Sequence, residues 1–389
     1  MGYRAPSLMI RSIALAASAL ACGGSGPTGG AASRVPLALS VGKGRTCVVS
    51  RAGEAACVGT KSVPVWNGSA GTTFRFVDTS SLREGVRALA LGDYHACALV
   101  DDAGVTCFGS NEAGQVGDGT WTMRESPAMA LPETAGAWRI ALGAAHSCAL
   151  WGSGGVLCWG KNGEGQLGNG DTTNVATPTS VSGLSWIASD IAAGDDHTCV
   201  VTSARGVACW GRNVEGQLGN GSTTQSLAPV DVVGASEVAR RVAVGGRQAC
   251  FLNVDGGVLC WGDNRFGQLG DGTRENRSAP VDVVGIGARV NALSVGRRHV
   301  CVITTAGAVK CWGENRFGQL GDGTKTDRTT PVDVVGIASG ARLVAAGPTH
   351  TCVAMVTGEL KCWGDNSFGQ LGDGTVEEQP APVASTIHW

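Results

Sequence analysis

Cysteine and histidine are the residues of this 389-residue chain best equipped for chemistry, and a strict repeat places both. Fourteen of the 15 cysteines form seven pairs of identical spacing: Cys47 with Cys57, Cys97 with Cys107, Cys148 with Cys158, Cys199 with Cys209, Cys250 with Cys260, Cys301 with Cys311 and Cys352 with Cys362. The pairs recur every 51 residues, or once 50. Thiolates are zinc ligands, but zinc wants clustered ligands two to four residues apart, and Cys-x9-Cys supplies only two. If the two cysteines sit opposite each other in an antiparallel hairpin, their Cα atoms come within bridging range. Seven intra-repeat disulfides are therefore favoured over zinc. Each stabilises by roughly 3 kcal/mol at most, and so many regularly placed cysteines suit an oxidising, extracytosolic setting.

Histidine follows the same period. His95, His146, His197, His299 and His350 stand two residues before a cysteine, but Gln248 and Arg45 take that place in two units. Neither replacement is a normal metal ligand there, so the position reads as a buried group tying strands together by hydrogen bonds, with no metal site and no cofactor. A catalytic group should be singular, and the other eye-catching residues are not. Asp118, Asp271, Asp322 and Asp373 share their position with Asn169 and Asn220. An amide cannot be a general base, so these residues, like Asn111, Asn162, Asn213, Asn264, Asn315 and Asn366, are expected to make Asx-type turn bonds. Trp159, Trp210, Trp261, Trp312 and Trp363, with Phe108 as counterpart, are expected to wedge between repeats. Non-enzymatic behaviour is the expectation.

The elements that must position these residues are short strands. Around each cysteine pair two apolar runs flank a glycine-containing turn, as in residues 193–201 and 206–211, which reads as a hairpin. Runs such as 280–284 and 290–295 supply two more strands per unit, and no segment carries a sustained 3.6-residue apolar period. A unit of about 51 residues with four strands cannot bury its apolar face alone and must stack on its neighbours. Seven such units describe an all-β, seven-bladed propeller over residues 35–389, one disulfide in each blade.

The repeat also has a recognisable wording. Gly-x-x-His-x-Cys is followed by Cys-Trp-Gly-x-Asn-x-x-Gly-Gln-Leu-Gly-Asp-Gly-Thr, as in residues 260–273. This resembles the regulator of chromosome condensation (alpha-tubulin suppressor-like) repeat family over nearly all of residues 40–389, and the cysteine pair resembles its secreted bacterial type. The resemblance implies the seven-bladed propeller. Nucleotide exchange, known in the family, uses a wedge for which the constant period leaves no room. Secreted bacterial propellers of this kind include β-lactamase inhibitors, which makes inhibition of a secreted enzyme an alternative function. The first unit departs from the pattern: after Cys57 comes a stretch from Val58 to Leu82 with Trp66, Phe74 and Phe76. A blade is still expected there, and the closing blade of a ring can borrow strands from both ends.

Before the repeats, Arg4 and Arg11 precede the apolar stretch 12–20, then Ala19-Leu20-Ala21 and the odd cysteine, Cys22. Residues 1–21 read as an export signal of lipoprotein type, with Cys22 as the lipidation site and 22–34 as a Gly/Ser-rich tether. The expected location is therefore periplasmic or cell-surface, by lipid anchor, or else secreted. A net charge of -2 offers no field for nucleic acid.

Function should lie where the units differ. Between the glycine and the histidine position each unit carries two variable residues, among them Asp93/Tyr94, Asp195/Asp196, Gly246/Arg247 and Arg297/Arg298. They would ring one face, acidic on one side and basic on the other. A second difference is Phe266, Phe317 and Phe368, an aromatic arc on three neighbouring blades. Tyr94, Asp195, Asp196, Arg247, Arg297, Arg298, Phe266, Phe317 and Phe368 are the candidate binding residues of a monomeric scaffold for an unidentified protein partner. An enzyme acting on a polar substrate, lyase or hydrolase, is the other class; it would show a non-repeated histidine and carboxylate converging on the central opening.

Overall fold

The computed structural model describes residues 36–59, 62–65, 73–76, 85–101, 104–152, 154–184 and 186–387. Six sheets are four-stranded and antiparallel, each built from strands consecutive in the chain. The sixth blade is representative: Val290–Val295, His299–Thr304, Val309–Gly313 and Arg328–Asp333. The strand Val290–Val295 thus heads the sheet of the hairpin that follows it, not the one before it. First strands of adjacent blades touch, and Ala341–Ala346 meets Ala38–Gly42, so they form a closed inner wall around an axis. The fold is the expected seven-bladed propeller.

Second strands such as His299–Thr304 are buried along their whole length. Neighbouring blades cover both faces, which is why the sequence there runs apolar without alternating. Third strands end in a glycine that bends the chain away from the sheet. At Gly313 φ is 107°, and an added Cβ would meet the Arg298 carbonyl and the His299 backbone, so only glycine fits.

All seven disulfides are intra-blade, as expected. Cys47 is bonded to Cys57, Cys97 to Cys107, Cys148 to Cys158 and Cys199 to Cys209. Cys250 is bonded to Cys260, Cys301 to Cys311 and Cys352 to Cys362. In each blade the two cysteines face each other across the hairpin, Cys107 opposite Cys97 and Cys209 opposite Cys199, with Cα separations of 4.1 Å in these two blades. Every bridge joins second and third strands in the close, non-hydrogen-bonded pairing of an antiparallel ladder.

Between blades the histidine, tryptophan and glutamine positions make one repeated stitch. Trp210, Trp261, Trp312 and Trp363 are fully buried, and each indole N–H donates to the glutamine carbonyl of the preceding blade, as Trp261 does to Gln217 at 2.9 Å. A hydroxyl of the next blade joins the same carbonyl: Ser147 donates to Gln115, Thr198 to Gln166, Thr351 to Gln319. Having given its only proton, the hydroxyl must accept from histidine. The Nε2 atoms of His95, His146 and His299 lie 2.8–2.9 Å from Ser147, Thr198 and Thr351, which fixes their neutral tautomer as Nε2–H.

The same stitch closes the ring. His350 reaches Thr46 at 2.8 Å, and Thr46 donates to the Gln370 carbonyl. Val48 of the first blade packs with Ala354, Leu360, Leu371 and Ile387. The first blade shows three strands, Ala38–Gly42, Arg45–Val49 and Ala55–Gly59; the last strand, Gln379–Ala384, pairs with Leu360–Gly364 in the seventh. Among the described residues the closure is therefore side-chain packing, with no strand exchanged between the ends. Ser62–Val65 and Thr73–Phe76 form a separate hairpin.

The seams at Arg45 and Gln248 have no histidine, and their hydroxyl positions are Ala96 and Val300; of the five histidines one lacks its partner. His197 has neither ring nitrogen hydrogen-bonded, because the residue that should offer a hydroxyl is Ala249. Ala249→Ser is expected to complete the link from His197 to the Gln217 carbonyl and to raise stability by about 1 kcal/mol. Thermal unfolding reads the result, and a lowered midpoint would mean the site has no room for the hydroxyl.

Candidate functional site: the mouth of the axial channel

The inner strands end at a belt of seven glycines, Gly92, Gly143, Gly194, Gly245, Gly296, Gly347 and Gly42, around a central cavity of about 100 Å³. Each of the first five has its Cα against the glycine carbonyl of the next blade, so an added Cβ would strike that carbonyl. The belt is thus a close-approach requirement, and Gly194→Ala is expected to destabilise by about 1–3 kcal/mol through overpacking, read by chemical denaturation. A variant as stable as wild type would show that the belt can relax.

Immediately beyond the belt come the variable pairs. Asp93, Asp195 and Arg297 line the cavity. Arg297 spans its mouth, 2.9 Å from Asp195 two blades away and 3.7 Å from Asp93 across the opening. Burial raises the Asp93 carboxyl above its usual range, against the opposing pull of Arg297 and with the repulsion of Asp195. Burial works against the Arg297 guanidinium, but Asp195 and Asp93 outweigh it and hold its pKa above the usual value.

The other candidates are paired as well. Burial opposes ionisation of Asp196, yet a 2.9 Å hydrogen bond from Lys161 brings it below the ordinary carboxylate range. Arg247 pairs with Glu215 at 2.9 Å, and Tyr94 accepts from Lys43 at 2.6 Å. Arg298 lies 3.6 Å from Glu314 and stacks 4.9 Å from the centroid of Phe266. The ring is therefore an internally neutralised network in place of two opposed half-rings of free charge. Sequence reading found the variable positions and missed their partners Lys161, Glu215 and Glu314, which lie in the long connection after the third strand; matching charge across units would have exposed them.

The aromatic arc is continuous with this network. Phe266 and Phe317 are half-buried and Phe368 is exposed, all in the turn after the third strand. Arg298 bridges the ring to Phe266, and Arg316 stacks 5.1 Å from Phe317. The Asn and Asp positions are turn residues: Asn264 Nδ2 donates to Asp271, its Oδ1 accepts from Leu269 N–H, and Asp271 accepts from Thr273 and Arg277. Among the described residues no group of three or more His, Cys, Asp or Glu is arranged to hold a metal. The five described histidines all occupy the buried, repeated position.

The chain belongs to the RCC1-like domain family, whose pattern matches residues 75–388. It is 33% identical over 304 residues to the ultraviolet-B receptor UVR8 of Arabidopsis thaliana, covering 77% of this chain and 69% of that protein. It is 32% identical over 253 residues to the human E3 ubiquitin-protein ligase HERC2, covering 62% of this chain but 5% of that protein. The fold superposes on yeast RCC1 (Prp20), solved bound to Kap60, with a TM-score of 0.71 at 19% identity, covering 94% of this chain and 90% of that one.

These relatives correct the sequence expectation of a secreted bacterial subtype. They come from a plant, human and yeast and are a receptor, a ubiquitin-protein ligase and a protein bound to Kap60, which also overturns the membrane partnership through a lipid on Cys22 and the exported or periplasmic location. The physical reason is that the cysteine pairs answer to hairpin geometry: opposed positions bring the thiols together whatever the compartment. Inhibition of a secreted bacterial enzyme falls with that expectation. Cys22, the signal at 1–21 and the tether at 22–34 lie outside the described residues.

Proposed function

We propose that this propeller is a non-catalytic protein-interaction scaffold whose contact surface is the channel mouth together with the aromatic arc. One observation carries the reading: Arg298 stacks on Phe266, making the variable ring and the arc a single surface where blades differ while the core beneath repeats. Arg and aromatic side chains are the types that dominate interface energetics. Arg297 is engaged across the opening by Asp195 and Asp93 and serves as a brace, whereas Arg298, Arg316, Phe317 and Phe368 present outward. The solved yeast relative held by Kap60 is consistent with such a role.

The test is quantitative affinity capture with wild type and an Arg298→Ala, Phe266→Ala, Phe317→Ala variant. Proteins enriched by wild type and lost from the folded variant are the expected result. Equal recovery by both would remove this surface as the contact site.

A further inference from the structure

The opposite end of the axis has a different chemistry. The inner strands run in one direction, so their first residues face the mouth remote from the glycine belt. These strands carry five arginines, Arg87, Arg139, Arg240, Arg241 and Arg342, and a single carboxylate, Asp190. In a chain of net charge -2 that is a local concentration of positive charge with no counterpart at the other mouth.

Three of the five form one cluster. Asp190 is almost fully buried on the inner strand Ala188–Ala193 and accepts from the backbone N–H groups of Ile191 and Val242. Arg139 of the preceding blade lies 2.7 Å from it and Arg241 of the following blade 3.9 Å, with side chains 28% and 25% exposed against 2% for Asp190. Burial lowers the pKa of Arg241, Asp190 opposes this, and Arg139 and Arg240 lower it further, which places three guanidiniums within electrostatic reach of one another. Arg240 spans to the carbonyl of Asn291 on the next inner strand. Among the described residues no carboxylate lies within ion-pair distance of Arg240 or Arg342; Arg87 is paired with Asp101. Other carboxylates on this side lie outside the inner strands: Glu54, Glu133, Glu237, Asp255 and Glu359 on the connections, and Asp231, Asp282 and Asp333 at the ends of the outer strands.

Beside the cluster is an apolar rim. Trp138 precedes Arg139 and is exposed; Ala137 pairs across the sheet with Trp151, also exposed, and Ile187 adjoins the turn at Gly154. We propose that this mouth is a second docking site, distinct from the face proposed above, for an acidic polypeptide segment: carboxylates meet the guanidiniums of Arg139, Arg240, Arg241 and Arg342, and apolar side chains of the segment cover Trp138 and Ile187. A carboxylate accepts two parallel N–H bonds from one guanidinium, and Arg240 and Arg342, with no carboxylate within ion-pair distance among the described residues, can offer such bonds. The arginines are confined to the inner strands at one end of the axis, with carboxylates around them, which suits a short peptide better than a polynucleotide that needs a basic stripe along its backbone.

A fluorescein-labelled deca-glutamate peptide titrated into the whole protein tests this. Binding should tighten as salt is lowered, and Arg240→Glu with Arg342→Glu should weaken it by roughly tenfold or more. Both arginines lie outside the ion pairs of Asp190, and the unfolding midpoint checks that the fold is kept; if the reversal lowers it, Arg240→Gln with Arg342→Gln gives the same readout. Arg298→Ala with Phe266→Ala should leave peptide affinity unchanged, which separates this site from the other mouth. The proposal is overturned if wild type shows no binding at millimolar peptide, if the double variants bind equally well, or if an oligonucleotide of equal charge binds more tightly through the same arginines.

Discussion

Acidification from pH 7.5 to 5.5 should unfold this protein far more readily than its carboxylates alone would suggest. Burial lowers the pKa of His95, His197 and His299 to about 3 and that of His146 and His350 to about 4. Their unfolded value is about 6.5. A group whose folded pKa is depressed contributes stability that is fully present above the unfolded pKa and is lost as pH falls toward the folded one. The loss therefore begins just below pH 6.5, where the unfolded chain takes up protons that the folded chain refuses. At pH 5.5 it reaches about 1.4 kcal/mol for each imidazole, and roughly 7 kcal/mol for the five together. That is comparable with the whole stability of an ordinary domain.

Denaturant titrations at pH 7.5, 6.5 and 5.5 measure this directly. The chain provides its own control, because Gln248 fills the histidine position in the fifth blade and donates to the Gly296 carbonyl at 3.0 Å. His299→Gln should accordingly reduce the pH dependence by one proton's worth. Stability that is flat from pH 7.5 to 5.5 would show that the imidazoles take up protons in the folded state as readily as in the unfolded one.

The architecture was legible because it is periodic. Cysteine, histidine, tryptophan and glycine each recur at the blade period, and a residue recurring in every blade answers to what every blade shares: the hairpin, the seam and the belt. The strand frame was less legible. An apolar run such as Val290–Val295 looks alike whether it closes one sheet or opens the next, and only the inner-wall contacts decide. The first blade was harder still, since its departure after Cys57 removes the signals that mark the outer strand elsewhere.

The candidate site was half legible. Variation between units located Asp195, Arg247, Arg297 and Arg298 on one mouth, but a list of variable positions carries no partners. Reading Asp195 and Arg297 as opposite sides of a ring missed that a guanidinium can reach across an opening this narrow. Asp190 escaped notice for the complementary reason. Alone it is one carboxylate in a strand, and its meaning appears only when Arg139 and Arg241 at the equivalent places of the flanking blades are set beside it.

Reduction should separate the blades by their accessibility. Non-reducing peptide mapping is expected to find the seven intra-repeat links, from Cys47 with Cys57 through Cys352 with Cys362. Links between repeats, or free thiols at these positions, would contradict the structure. Each bridge closes a short loop, so losing one costs roughly 3 kcal/mol at most, and the losses need not add because neighbouring blades share their seams. Cys250→Ala with Cys260→Ala is thus expected to lower stability by about 2–3 kcal/mol by denaturant titration. Order of reduction follows from burial. Cys57 alone among the fourteen is only partly buried, while the others, Cys107 and Cys209 among them, lie at 0–1% exposure and meet a reductant only when a seam opens. In a time course with a phosphine reductant under native conditions, the bond between Cys47 and Cys57 should open first. The other six should follow at the much slower rate of seam opening, faster at pH 5.5 than at 7.5 because histidine stitches hold four of the seven seams. Simultaneous reduction of all seven would mean that the ring opens as one unit and that the first blade is sealed as tightly as the rest.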